Sequence, residues 1–222
     1  MRQIYDDLWE TAAFRVPNGP ATHAYLWTPP SAPNVLFYNL GSDDEIDALA
    51  DLGGVAHQYL SHRDEISPML TVIAERFDTI LHSSAAERHL VAEVRTPDEV
   101  FDTRHVDARG VEVIATPGHT PGSACFLVDG AAGHYLFTGD TILRRDDGTW
   151  FAGYIPGYSD LDDLLATLDL LADLEPDIVV SSAFTGTAGA HQLDRPWAQC
   201  VAEASALLTA EHVSGRTSRS VR

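Results

Sequence analysis

The sequence predicts a layered α/β protein, and three observations lead to that class. Strand-like and helix-like runs are interspersed along the chain rather than gathered in separate blocks. The run at 159–174 has one apolar helical face, with Leu161, Leu164, Leu165, Leu168, Leu171 and Leu174 recurring at three- and four-residue steps. The 222 residues suit one large domain, long enough to bury about 70% of its unfolded surface.

Taken in order, residues 22–27 (THAYLW) and 34–40 (NVLFYNL) read as strands. Residues 42–53 read as a helix, because Ser42 or Asp43 can cap it, acids fill its first turn and Gly53 ends it. A strand at 55–60 leads into YLSHRDEIS. Residues 68–77 read as a helix with Pro68 in its first turn. A short strand at 78–82 and a short helix at 85–94 follow. Three strands separated by turn residues are predicted at 111–118, 123–129 and 134–140. Ser159 or Asp160 can cap the leucine-faced helix. A buried strand at 177–184 and a final helix at 196–213, opening on Pro196, complete a single domain over residues 1–213. The polar, basic tail 214–222 is predicted to be disordered.

Composition narrows the function. There are 33 acids against 14 bases, a formal net charge of −19. Such a chain repels phosphate backbones and anionic membrane surfaces, so nucleic acid and membrane are excluded as partners and a small-molecule substrate is expected. Every base is Arg; without Lys there is no Schiff-base or phosphate-loop lysine chemistry. Cys125 and Cys200 lack CxxC spacing, which argues against a disulfide framework and a Cys-rich zinc site. No apolar run approaches the roughly 20 residues of a membrane span. The N-terminal MRQIYDDLWE carries acids where a secretory leader needs a basic start. The expected location is cytoplasmic.

Ten histidines make any single one weak as a signal, so position decides. Three chemical candidates sit at strand ends, where a rigid sheet can aim them. His119 lies in TPGHTPGS, between two sharp bends made by Pro117, Gly118, Pro121 and Gly122. Asp140 projects from the tip of YLFTGDT. His62 and Asp64 stand two apart in LSHRDEI, on one side of an extended segment, with Arg63 and Glu65 turned the other way to solvent. The bland alternatives are a solvated His in a turn, an Asp that caps the next segment and a charged surface loop.

Together these segments carry more. TPGHTPGS and LFTGDT, in this order and with a strand pair between, resemble the metallo-β-lactamase fold superfamily over roughly residues 20–190. The resemblance implies a four-layer αββα sandwich. It implies a metal site formed by His62, Asp64 and His119, with Asp140 beside it as ligand and catalytic group. It also implies a departure. Where the family places its first-loop Asp, third first-loop His and last His, this chain has Ile66, Ser67 and Ala183. One divalent ion per chain is therefore expected rather than two, Zn or Fe(II), with Mn also compatible.

His191 is a candidate replacement for the missing last ligand. His57 and His82 read as packed or supporting residues, and His23 as a supporting residue below the site. Arg144 and Arg145 could grip a substrate carboxylate or stand solvated. Trp150, Phe151, Tyr154 and Tyr158 could wall a pocket or pack in the core. The leading functional expectation is a single-metal hydrolase of a small ester, thioester, lactone or amide. The alternatives are an Fe(II) oxygenase acting on a thiol or persulfide through His62, His119 and Asp140, and a metal-free binding protein.

Overall fold

The computed structural model describes residues 1–15 and 19–219. Two mixed sheets are its centre. The first holds seven strands in the spatial order Arg2–Tyr5, Leu8–Glu10, Tyr25–Trp27, Val35–Phe37, His57–Tyr59, Ile80–Ser84 and Glu99–Phe101. Its first half is antiparallel, and from Val35–Phe37 onward the strands run parallel. The second holds His105–Val106, Glu112–Ala115, Ala124–Gly130, Gly133–Gly139, Ile178–Ser181 and Ala190–Gln192. Only Gly133–Gly139 and Ile178–Ser181 pair parallel there.

The two-residue alternation of strands sorts the second sheet into two faces. Val113, Phe126, Phe137 and Val180 face the first sheet and pack with Leu26, Phe37 and Tyr59. Ile114, Cys125, Leu136 and Val179 face the other way. That outer face is covered by α4 (Leu161–Leu171) and α5 (Trp197–Arg219). Leu164, Leu168 and Leu171 do the covering, as the leucine periodicity predicts. Across the first sheet lie α1 (Ile46–Asp51), α2 (Met69–Phe77) and α3 (Arg88–Val91). Leu70 of α2 and Val91 of α3 pack there on Leu60 and Leu81. The layers thus run helix, sheet, sheet, helix, the expected αββα order.

Asp160 caps α4, its carboxylate accepting from the Asp163 N–H at 3.0 Å. At α1 neither Ser42 nor Asp43 is the cap; the helix starts after Glu45, without a side-chain cap. The helix α5 runs to Arg219, into the segment expected to be a tail. Residues 220–222 of that tail lie outside the described residues. Three further pieces carry no strong sequence pattern: the strands Arg2–Tyr5 and Leu8–Glu10, the pair Ile142–Arg144 with Trp150–Ala152, and a small sheet of Phe14–Arg15, Ala21–Thr22 and Ala183–Phe184. Among the described residues no helix is long and apolar enough to cross a membrane.

Topology places the site. The carboxyl ends of the parallel strands in both sheets open toward one crevice, the usual position for ligands in α/β sheets. His62 follows His57–Tyr59, Asp140 follows Gly133–Gly139, and Ser182 follows Ile178–Ser181.

Candidate metal centre

After Leu60 the chain turns sharply. Arg63–Glu65 form one 3-10 turn with His62 at its head. The segment is therefore not extended, and Glu65 does not face solvent. Its side chain is only 6% exposed and lies 3.4 Å from His62 Nδ1. It accepts from the Ser61 N–H at 2.9 Å and from the Ser61 hydroxyl. The turn is the physical reason, since it replaces the two-residue alternation of a strand and folds Glu65 back onto Ser61. Asp64 reaches the site all the same, its Oδ2 lying 3.8 Å from His62 Nε2 and 3.5 Å from His119 Nε2.

His119 is held from three sides. The Thr120 N–H donates to Ser123 Oγ at 2.9 Å, closing the turn that carries it. The Ser159 hydroxyl donates to the His119 carbonyl at 2.9 Å. Its Nδ1 lies 2.5 Å from the Gly153 carbonyl and must carry the proton there. Nε2 is left with its lone pair, buried and without a hydrogen-bond partner among the described residues. Gly153 is required at its position, because a Cβ there would collide with the Asp140 carbonyl.

Asp140 sits just past Gly139, whose positive φ of 53° and close approach to Ser61 leave no space for a side chain. Asp140 Oδ1 accepts from the Ala183 N–H at 3.0 Å. Oδ2 points to the rings, 3.7 Å from His62 Nε2 and 4.0 Å from His119 Nε2. All four expected site residues therefore converge.

The charges shape one another. Burial disfavours the charged His62, but Asp140, Glu65 and Asp64 outweigh it and raise its pKa to about 9. Burial likewise opposes charge on Asp64, yet the nearby His119 ring, the hydrogen bond from Tyr158 and the His62 charge lower its pKa to about 2. Burial raises Glu65, and His62 draws it part of the way back. The Tyr158 hydroxyl donates to Asp64 and accepts from Arg63 Nε at 2.8 Å. The Arg63 guanidinium also lies 4.3 Å over the Tyr158 ring.

His62, Asp64 and His119 offer ligand atoms within 4.8 Å of one another. Two imidazoles and a carboxylate form the three-ligand set of hydrolytic zinc sites, and the set also suits Fe(II) or Mn. The donors fit a cation. A buried ring nitrogen left unpaired costs about 1–3 kcal/mol, and His119 Nε2 is such an atom, aimed at Asp64 and Asp140. The three positions that depart from the family pattern have structural uses. Ile66 packs beside Leu60, Leu70 and Leu81. Ser67 Oγ accepts from Asn39 Nδ2 at 3.0 Å. Ala183 gives its N–H to Asp140.

A sequence model of the metallo-beta-lactamase superfamily matches residues 54–183. The chain belongs to that superfamily. Solved structures share the fold. A metallo-beta-lactamase from Pontibacter korlensis superposes with a TM-score of 0.72 at 16% identity, over 94% of this chain and 97% of that one. A motif mutant of a metallo-beta-lactamase from Cronobacter sakazakii gives 0.69 at 15% identity, over 97% and 98%. An archaeal superfamily protein from Sulfolobus tokodaii gives 0.61 at 16% identity, over 89% and 84%. At such identities the likeness speaks for the fold alone.

Within this superfamily fold the other candidates are sorted by position. His191 lies on the strand Ala190–Gln192, edge-on to Trp150 at 5.9 Å, and is not part of the converging group. His57 and His82 hydrogen-bond each other at 3.0 Å, away from the site. His23 stacks on Phe184 at 4.6 Å. Arg144 pairs with Asp194 at 3.0 Å, and Arg145 lies 4.6 Å over Phe151. Trp150 is core, 1% exposed, whereas Tyr158 belongs to the site. The residues that sequence reasoning missed are Ser61, Glu65 and Gly153, all of which orient ligands. Consecutive polar residues in SHRDE suit a turn as well as an extended piece, and that was the one available signal.

Proposed function

We propose that the protein is a single-metal hydrolase of a small ester, thioester, lactone or amide. The observation that carries the reading is the buried, unpaired His119 Nε2 facing Asp64 and Asp140 beside His62. His62, Asp64 and His119 would hold the ion, and when bound it would activate water and polarise the substrate carbonyl.

This chain's own groups supply the rest. Gly153 fixes the His119 tautomer through Nδ1. Ser61 and Glu65 flank His62 Nδ1, so Nε2 faces the cleft. The Ala183 N–H anchors one Asp140 oxygen and leaves Oδ2 free to take the proton of an attacking water. Tyr158 steadies Asp64, whose side chain is 44% exposed at the mouth. The cleft of about 410 Å³ admits small substrates.

The oxygenase reading uses His62, His119 and Asp140. It ranks second because Asp64 also lies within 4 Å of both rings, adding a second carboxylate to the set. Elemental analysis of protein purified without chelators, with ester and lactone turnover and oxygen uptake on the same sample, tests the choice. Zinc near one per chain with ester turnover is expected. Iron with oxygen uptake would favour the oxygenase, and less than about 0.2 metal per chain would remove both.

A further inference from the structure

We propose that the site selects uncharged acyl compounds with a short apolar tail and rejects those whose tail bears a carboxylate. This rests on the hydrolase reading and adds a substrate class to it. The inner surface of the cleft carries Asp64, Glu65 and Asp140, and its walls include Phe14, Leu40 and Ile155. No Arg lines it among the described residues, and the chain has no Lys.

Arg63, next to Asp64 along the chain, is already engaged. Arg63 Nε donates to Tyr158 and lies 3.7 Å from Glu87. Asn39, the amide in the cleft, is also committed: its Nδ2 donates to the Glu65 carbonyl and Ser67 Oγ, and its Oδ1 accepts from Leu40 N–H and Gln58 Nε2. With a divalent ion held there, Asp64 and Asp140 would balance its two charges, and no side-chain cation among the residues lining the cleft would remain for a second anionic group. The whole-chain net of −19 adds a field of the same sign.

A matched pair of ligands tests this by binding, independent of turnover. Butyrohydroxamate and succinate monohydroxamate share the same metal-binding head and nearly the same length, and differ by a methyl against a carboxylate. On the zinc-loaded full chain, calorimetry should show the neutral compound at least about tenfold tighter at low salt, with the gap narrowing as salt is raised. Ile155 is 46% exposed at the cleft wall, and Ile155→Lys should shift the affinity ratio toward the anionic compound. Equal or tighter binding of succinate monohydroxamate to the wild type overturns the proposal. So does failure of both compounds to bind a chain holding one zinc. If the neutral preference holds but neither phenyl butyrate nor phenyl hemisuccinate is hydrolysed, the hydrolase reading fails and the charge selection stands.

Discussion

His62 and His119 turn ring nitrogens toward carboxylates, whereas His57 and His82 turn theirs toward each other. Both His62 and His82 are buried, at 4% and 3% exposure, so burial does not separate them. His62 meets Asp140, Glu65 and Asp64 and is raised to about 9. His82 is driven down to about 3, by burial first and then by Arg109 and His57. It stacks flat on Tyr59 at 4.0 Å, and its Nε2 is 3.0 Å from His57 Nδ1. Asp107 and Asp98 pull the other way without offsetting this, and Glu99 at 3.4 Å is half exposed and screened by water. A buried histidine is thus a candidate ligand when acids face it and a ring nitrogen stays free, and a packing residue when it shares a nitrogen contact with a second ring and stacks on a third.

The comparison can be broken most directly by deletion. His119→Ala should drop bound metal from about one to below about 0.2 per chain and cut kcat/KM by about a thousandfold. His82→Ala should keep its metal and lose about 1–3 kcal/mol of stability instead. Elemental analysis and thermal melts distinguish the two, and loss of metal in His82→Ala would end the distinction. Asp140→Asn comes next: metal content should hold while kcat falls about a hundredfold or more, because the proton acceptor is gone.

Glu65→Gln tests support rather than ligation. A competition titration should show metal affinity about 10–100-fold weaker, and an unchanged affinity would return Glu65 to a passive role. The acid side of the pH profile gives a smaller effect per step. Metal needs the neutral imidazole, and His62 is protonated below about 9. Affinity should rise about tenfold per pH unit from 7 toward 9 and then flatten, with proton release on binding measurable by calorimetry in two buffers. His82 has the opposite sign. Its folded pKa of about 3 lies below the unfolded value near 6.5. The unfolded chain takes up that proton first, so stability is lost as pH falls from about 6.5 toward 3. Denaturant titrations of wild type and His82→Gln across that window should converge at low pH.

Much of the frame was legible in the chain. The leucine steps of α4 are visible because one face of a helix must be apolar to cover a sheet. His119 and Asp140 were legible because turn residues bracket them at strand ends. The strands at Leu8–Glu10 and Trp150–Ala152 were not, since no longer apolar run surrounds them: Asp6 and Asp7 precede the one, and Gly148 and Gly153 flank the other. Glu65 was misplaced because two periods compete in SHRDE, and the choice of turn is made by the Ser61 contacts and by burial against the second sheet. Gly153 carries no local mark of its role; its carbonyl matters only once Trp150–Ala152 has brought it beside the TPGHTPGS loop.

By itself the sequence determined the layered class, the strong negative charge, the candidate ligands His62, Asp64, His119 and Asp140, and the departure at Ile66, Ser67 and Ala183. The class and the charge are properties of residue type and order along one chain, while the ligand set and the departure are what the resemblance of its motifs to the superfamily implies. Tertiary structure decided which histidines keep a free nitrogen, that Glu65 supports His62, and that Tyr158 rather than Trp150 meets the site. Each of these depends on distances between residues tens of positions apart, set by two sheets packing face to face.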